Sequence, residues 1–143
     1  MKTLLLTLAV AAAAVAVVPA ASTSTAPTVS VRSSAYGPIL FDGRGKALYA
    51  FTRDRRGGRS TCYGACTRAW PPYLLRGSLR AGPRTKQSLL GSVRRRDGRR
   101  QVTYNGRPLY YYVGDGPGQV KCQNVDEFGG LWLVLRASGR LVH

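Results

Sequence analysis

A six-residue pattern occurs twice in this 143-residue chain: Tyr49-Ala50-Phe51-Thr52-Arg53-Asp54 and, 61 residues further on, Tyr110-Tyr111-Tyr112-Val113-Gly114-Asp115. Both copies read Tyr, any residue, aromatic, two residues of any kind, Asp. Each follows a leucine, Leu48 or Leu109, and a turn-forming pair, Asp42-Gly43 or Asn105-Gly106. An internal repeat constrains architecture before any single residue does, because both copies must be built as the same supersecondary unit. Two-residue alternation puts Tyr49 and Phe51, or Tyr110 and Tyr112, on one face of a strand, where the rings can stack on a core or on each other across strands.

From Ile39 onward the apolar residues mostly alternate, punctuated by Gly, Asp, Asn and Pro, which argues for β-structure. The pattern predicts strands over Ile39–Phe41, Ala47–Thr52, Leu89–Arg95, Arg100–Tyr104, Pro108–Val113 and Leu131–Arg136. Asp42-Gly43, Asp97-Gly98 and Asn105-Gly106 suit tight hairpins, which need positive φ. Between the repeats, Cys62–Ala69 can form a helical turn or two that Trp70-Pro71-Pro72 stops, since a residue before proline is pushed out of the helical region. The expected fold is therefore all-β: a small antiparallel domain of two related meander-like repeats with a short Cys-containing helical turn between them. Trp70 is expected to cap its core.

The N-terminus starts Met1-Lys2, runs uncharged from Leu4 to Val18 and ends in Val18-Pro19-Ala20. Small residues at the two positions a signal peptidase reads mark 1–20 as a signal peptide, and fifteen apolar residues fall short of the roughly 20 that span a bilayer. Ser, Thr, Ala and Pro dominate 21–36, which reads as a flexible tether adding nothing to a core. A single β domain is expected over 37–143, with repeat one at about 37–56, an inter-repeat segment at about 57–88, repeat two at about 89–116 and a closing strand at about 129–136. A chain of this length suits one core of modest size.

The chain carries 22 basic residues, 18 of them Arg, against 6 acidic ones. A surface so charged attracts polyanions. Arg53, Arg55, Arg56 and Arg59 form one cluster and Arg94, Arg95, Arg96, Arg99 and Arg100 another, both flanking turn signals and so expected to crown loops as candidate anion-binding residues. With an exported chain and no nucleic-acid fold motif, the expected partner is an anionic envelope polymer or acidic surface and not DNA or RNA.

Asp54 and Asp115 fall where their strands should end, and Asp42 and Asp97 sit in turns, so these four are read as acceptors of backbone N–H bonds that fix the turns. Cys62, Cys66 and Cys122 are the disulfide candidates in an oxidising destination. Cys62 and Cys66 lie one helical turn apart, and Cys122 could pair with either. The competing reading makes the three thiols a redox or Cu(I) site, soft metals preferring sulfur. A closed zinc site wants four ligands, often including His, and the single His is His143, so no metal site is assigned. With no other His, no Ser or Cys nucleophile has a base. Asp126 and Glu127 are adjacent in sequence and would point opposite ways in a strand, unlike the facing carboxylates of a glycosidase. No catalytic residue, enzyme activity or cofactor is assigned.

The runs Gly45–Asp54, Cys62-Tyr63-Gly64-Ala65-Cys66 with Trp70-Pro71-Pro72, Gln101–Tyr110 and Gly129-Gly130-Leu131-Trp132 resemble a bacterial envelope family. It is described as predicted lipoproteins with a repeated Tyr-x-(Phe/Trp/Tyr)-x-x-Asp motif, also called the secreted repeat of unknown function. The likeness runs from about Gly37 to Leu141 and implies an exported small β domain of unassigned activity. Its Cys-x-x-x-Cys motif points to Cys62 and Cys66 as the bonded pair. Many relatives carry a lipid-acceptor Cys after the leader, and this chain has none. The expected protein is thus an exported cell-envelope or extracellular protein of unassigned activity, a non-catalytic binding or structural module with a strongly basic surface. The alternative is a thiol redox or copper-handling accessory protein using Cys62, Cys66 and Cys122.

Overall fold

The computed structural model describes residues 28–143. The expected signal peptide at 1–20 and the first part of the tether, 21–27, lie outside the described residues. Among the described residues eight strands run β1 Val29–Arg32, β2 Ile39–Asp42, β3 Tyr49–Phe51, β4 Leu90–Arg94, β5 Arg100–Tyr104, β6 Arg107–Tyr110, β7 Val125–Glu127 and β8 Gly130–Val134, with one short α-helix, α1, at Ala65–Ala69 and a 3-10 turn at Gln87–Leu89. Strands β1 and β2 form a two-stranded sheet, and the other six are ordered β4-β5-β6-β3-β8-β7, all neighbours antiparallel. The fold is mostly β and built from two related units, as the repeat implied.

The meander holds within repeat two, where β4, β5 and β6 pair in chain order. It does not continue across the repeats, because β3 of repeat one inserts between β6 and β8. Tyr49 lies directly opposite Tyr110, the first residue of each motif facing its counterpart, and Phe51 lies opposite Trp132. Because β3 is flanked on both sides and covered on both faces, all three of its residues are buried.

Alternation along β3 divides the apolar residues into two clusters. Tyr49 and Phe51 point into one with Trp70, Tyr110, Trp132 and the Cys62–Cys66 pair. Ala50 points into the other with Leu48, Val102, Tyr104 and Leu109. In the first cluster Phe51 stacks on Trp132 and Trp132 on Trp70, each with centroids 4.1 Å apart. Trp70 is fully buried, as its expected place at the core requires.

One boundary is corrected. The tether expected over 21–36 does not extend that far, because Val29–Arg32 is strand β1, with Val29 and Val31 buried in the second cluster. The alternation Val29-Ser30-Val31-Arg32 is a strand pattern whose polar half matches the Ser/Thr-rich composition around it. Strand β7 was also not expected. It is joined to β8 by the two-residue turn Phe128-Gly129, with φ of 56° and 79°. A two-residue hairpin of this kind demands positive φ at both positions, and Phe128 adopts it at a steric cost.

The inter-repeat segment is not a detached loop. Strands β5 and β6 pair at Thr103↔Pro108 and Tyr104↔Arg107 and then diverge. Residues 71–75 enter the gap: Tyr73 N donates to Leu109 O, Val102 N to Tyr73 O, Leu75 N to Arg100 O and Tyr111 N to Pro71 O. The proline pair enforces the extended conformation that this insertion needs.

Candidate functional site

Each motif tyrosine is held by the aspartate of the other repeat. Tyr49 donates its hydroxyl hydrogen to Asp115 Oδ2 at 2.6 Å, and Tyr110 donates to Asp54 Oδ2 at 2.6 Å. The remaining oxygens organise the chain that follows: Asp54 Oδ1 accepts from Thr61 N and Thr61 Oγ1, and Asp115 Oδ1 accepts from Lys121 N. The expected backbone bonds are therefore present, although they reach six or seven residues ahead instead of closing the adjacent turn. The bond across the repeats was not anticipated. Burial, reinforced by the partner carboxylate, holds the Tyr49 and Tyr110 hydroxyls protonated well above the ordinary tyrosine range.

The two crossed pairs have different surroundings. Around Tyr110, Ser60 Oγ shares the hydroxyl and also accepts from Arg95 Nη1 at 2.8 Å. Arg95 donates further to Gln101 Oε1 and to the Cys62 carbonyl, while Gln101 donates to Leu109 O. Arg95 is thus buried, at 2% exposure, and is not part of the expected anion-binding loop. A guanidinium inside the fold needs several acceptors to offset its lost hydration, and here it has three. Its place in the run Arg94-Arg95-Arg96 concealed that role.

Cys62 and Cys66 form a disulfide, with Cα atoms 5.4 Å apart, and Cys122 is a free, half-buried thiol. The ligand set expected of a three-thiolate site is thereby divided. Cys62 follows the residue whose N–H the first motif aspartate binds, and Cys122 follows the one bound by the second. The odd cysteine is the repeat-two counterpart of Cys62. The Tyr112 hydroxyl lies beside it, and this hydrogen bond raises the Tyr112 pKa.

The acidic residues are largely committed to neutral donors. Asp42 accepts from Arg44 N, Lys46 N and the Tyr111 hydroxyl. Glu127 accepts from the Trp70 indole at 2.8 Å, and its backbone carbonyl accepts from the Trp132 indole. Among the described residues the ion pairs are Arg95–Asp97 and Arg99–Asp97, both on one carboxylate, which Arg99 holds down at about 2.

The other expected anion-binding arginines are exposed. Arg53 donates to Phe128 O, Arg56 to the carbonyl and side-chain oxygens of Asn105, and Arg100 to Ser92 Oγ. Arg96 lies over the Tyr63 ring, 3.9 Å from its centroid. The segment after β3 and the β4–β5 hairpin meet at 60–63, where Arg95 reaches Ser60 and Cys62 and Arg96 N donates to the Tyr63 hydroxyl. At the other end, Gly57 N donates to Gly106 O, and a side chain on Gly106 would meet Gly57 N at 2.9 Å.

A groove of about 520 Å³ opens between residues 71–80 and the Asp42-Gly43-Arg44 turn, with Tyr73 and Tyr111 in its wall. None of its residues was singled out as a ligand contact from the sequence. The insertion of 71–75 between β5 and β6 creates it, and such a non-local placement leaves no local pattern.

The fold and its duplicated motif define a two-repeat β module in which each half completes the other. The chain belongs to the family of the secreted repeat of unknown function, whose model matches residues 30–73 and 91–136, one match for each repeat. No curated protein and no solved structure matches it. Among the described residues no helix is long and apolar enough to cross a membrane, and no group of three or more His, Cys, Asp or Glu is placed to hold a metal ion.

Proposed function

We propose that this protein is a non-catalytic module of the cell envelope or extracellular space that binds an anionic polymer through its arginine-rich surface. The observation that carries this reading is the placement of the carboxylates. Asp42, Asp54, Asp115 and Glu127 bind backbone, tyrosine and indole donors, so Arg53, Arg55, Arg56, Arg59, Arg94, Arg96 and Arg100, exposed and in no ion pair among the described residues, keep their charge available to a partner. Exposed unpaired cations concentrate polyanions by long-range attraction, which salt screens over a Debye length of about 10 Å at 0.1 M. The crossed Tyr–Asp pairs are structural in this reading, since all four groups are buried.

The test is binding of the mature exported protein to immobilised polyglucuronate and polyphosphate, with a neutral glucan as control, as salt is raised from about 0.05 to about 0.5 M. The expected result is retention on the anionic polymers that falls steeply with salt and is unchanged by Cys122→Ser. Equal retention on the neutral glucan, or none on any anionic polymer, rejects the reading.

A further inference from the structure

The geometry points to the groove between the inter-repeat segment and the Asp42-Gly43-Arg44 turn as a binding site for an acidic polysaccharide, with Tyr73 and Tyr111 as stacking surface and Arg44 and Arg76 as carboxylate partners. This inference rests on the proposed polyanion binding and gives it a site and a ligand class.

At about 520 Å³ the groove lies in the size range of small-ligand sites. Its wall holds two tyrosines with ring centroids 5.1 Å apart, tilted at 50°. Both hydroxyls are directed to protein acceptors: Tyr73 donates to Thr28 O at 2.8 Å and Tyr111 to Asp42 Oδ2 at 2.9 Å. With the polar ends turned away, what remains for a ligand is half-buried ring carbon. Such a surface suits the C–H faces of a sugar better than a bare phosphate chain, because an aromatic ring is an apolar body whose polar tip is already satisfied.

The charge around it is one-sided. Arg44 is close enough to both tyrosines for its charge to bear on their ionisation, and Lys46 Nζ lies 5.6 Å from the centre of the Tyr111 ring. Arg44 and Arg76 are exposed and in no ion pair among the described residues. The one carboxylate among the described lining residues, Asp42, is 4% exposed and holds three donors. Planar guanidiniums beside an aromatic wall match a ring that bears a carboxylate, which they can bind in bidentate fashion.

The decisive experiment titrates the mature protein with a short oligogalacturonate, a neutral oligoglucose and inorganic polyphosphate, observed by amide NMR. The wild type is compared with Arg44→Ala, Arg76→Ala and a control, Arg55→Ala/Arg59→Ala. Shifts at Tyr73, Arg76 and Tyr111 on adding oligogalacturonate are expected, with binding weakened on the order of tenfold by each groove substitution and little by the control. Folding of each variant is checked by its unperturbed amide spectrum, both arginines being on the surface. Anion binding lost in the control but kept in the groove variants overturns the groove and leaves the general reading standing. Groove-dependent binding of polyphosphate but not of oligogalacturonate overturns the sugar assignment. No binding of either anion rejects both this inference and the reading on which it rests.

Discussion

The two Tyr–Asp pairs share a motif and the same 2.6 Å oxygen–oxygen distance, yet they are unequally supported. Asp54–Tyr110 is the end of a buried chain that runs through Ser60 to Arg95, Gln101 and the Cys62 carbonyl, beside a disulfide. Asp115–Tyr49 has the Lys121 amide and a neighbouring free thiol instead. One identical hydrogen bond is thus embedded in a charged network and the other in a neutral one. The difference shows that a repeated motif can preserve a contact while its energetic setting diverges.

Alkaline pH should disrupt both pairs together and give the largest effect. Folding raises the pKa of Tyr49 and Tyr110, so their stabilisation is full below the unfolded value of about 10 and is lost as pH rises above it. Each buried tyrosine then removes about 1.4 kcal/mol per pH unit, roughly 5 kcal/mol for the pair by pH 12. Absorbance at the phenolate band should show them ionising in step with loss of near-ultraviolet circular dichroism; ionisation within an intact fold would contradict the burial argument.

Arg95→Met separates the pairs. It strips Ser60, Gln101 and the Cys62 carbonyl of a charged donor and should cost about 3 kcal/mol in urea denaturation. Amide exchange should accelerate around Ser60 and Tyr110 more than around Tyr49 and Lys121. Uniform acceleration would mean that the two pairs are one cooperative unit.

Tyr110→Phe and Tyr49→Phe each leave a carboxylate without its phenol, at about 1.5 to 3 kcal/mol. Tyr110→Phe should be the costlier, because Ser60 also loses a partner; equal midpoint shifts would show that the Arg95 network adds nothing to the pair. The cysteines give the smallest contrast. Opening the short Cys62–Cys66 loop by Cys66→Ser should cost about 2 kcal/mol. Cys122→Ser should change stability by less than about 1 kcal/mol, since it opens no disulfide and a serine hydroxyl can still meet Tyr112.

What the sequence made readable was the local part of this design. Period-two alternation and the dipeptides Asp97-Gly98 and Asn105-Gly106 located β4, β5 and β6 to within a residue or a few, because strand faces and positive-φ turns are properties of neighbouring residues. The helical turn before Trp70 was readable for the same reason. Pairing of β3 with both β6 and β8 was not, since nothing near Tyr49 specifies a partner 61 residues away. The repeated Tyr and Asp were visible, but whether each Asp serves its own Tyr or the other copy's depends on that pairing. Arg95 was hidden in a run of like residues, and β1 in a stretch whose composition resembles a linker.

The crossing of the two pairs has a consequence for a chain carrying only one copy of the motif. Its tyrosine and its aspartate would each lack a partner within the chain, and two such chains could supply both by a symmetric exchange, as in an isologous dimer. Tethering the copies in one polypeptide turns that association into an intramolecular step, at an effective concentration set by the connection and not by the solution. The exchange therefore persists at any dilution.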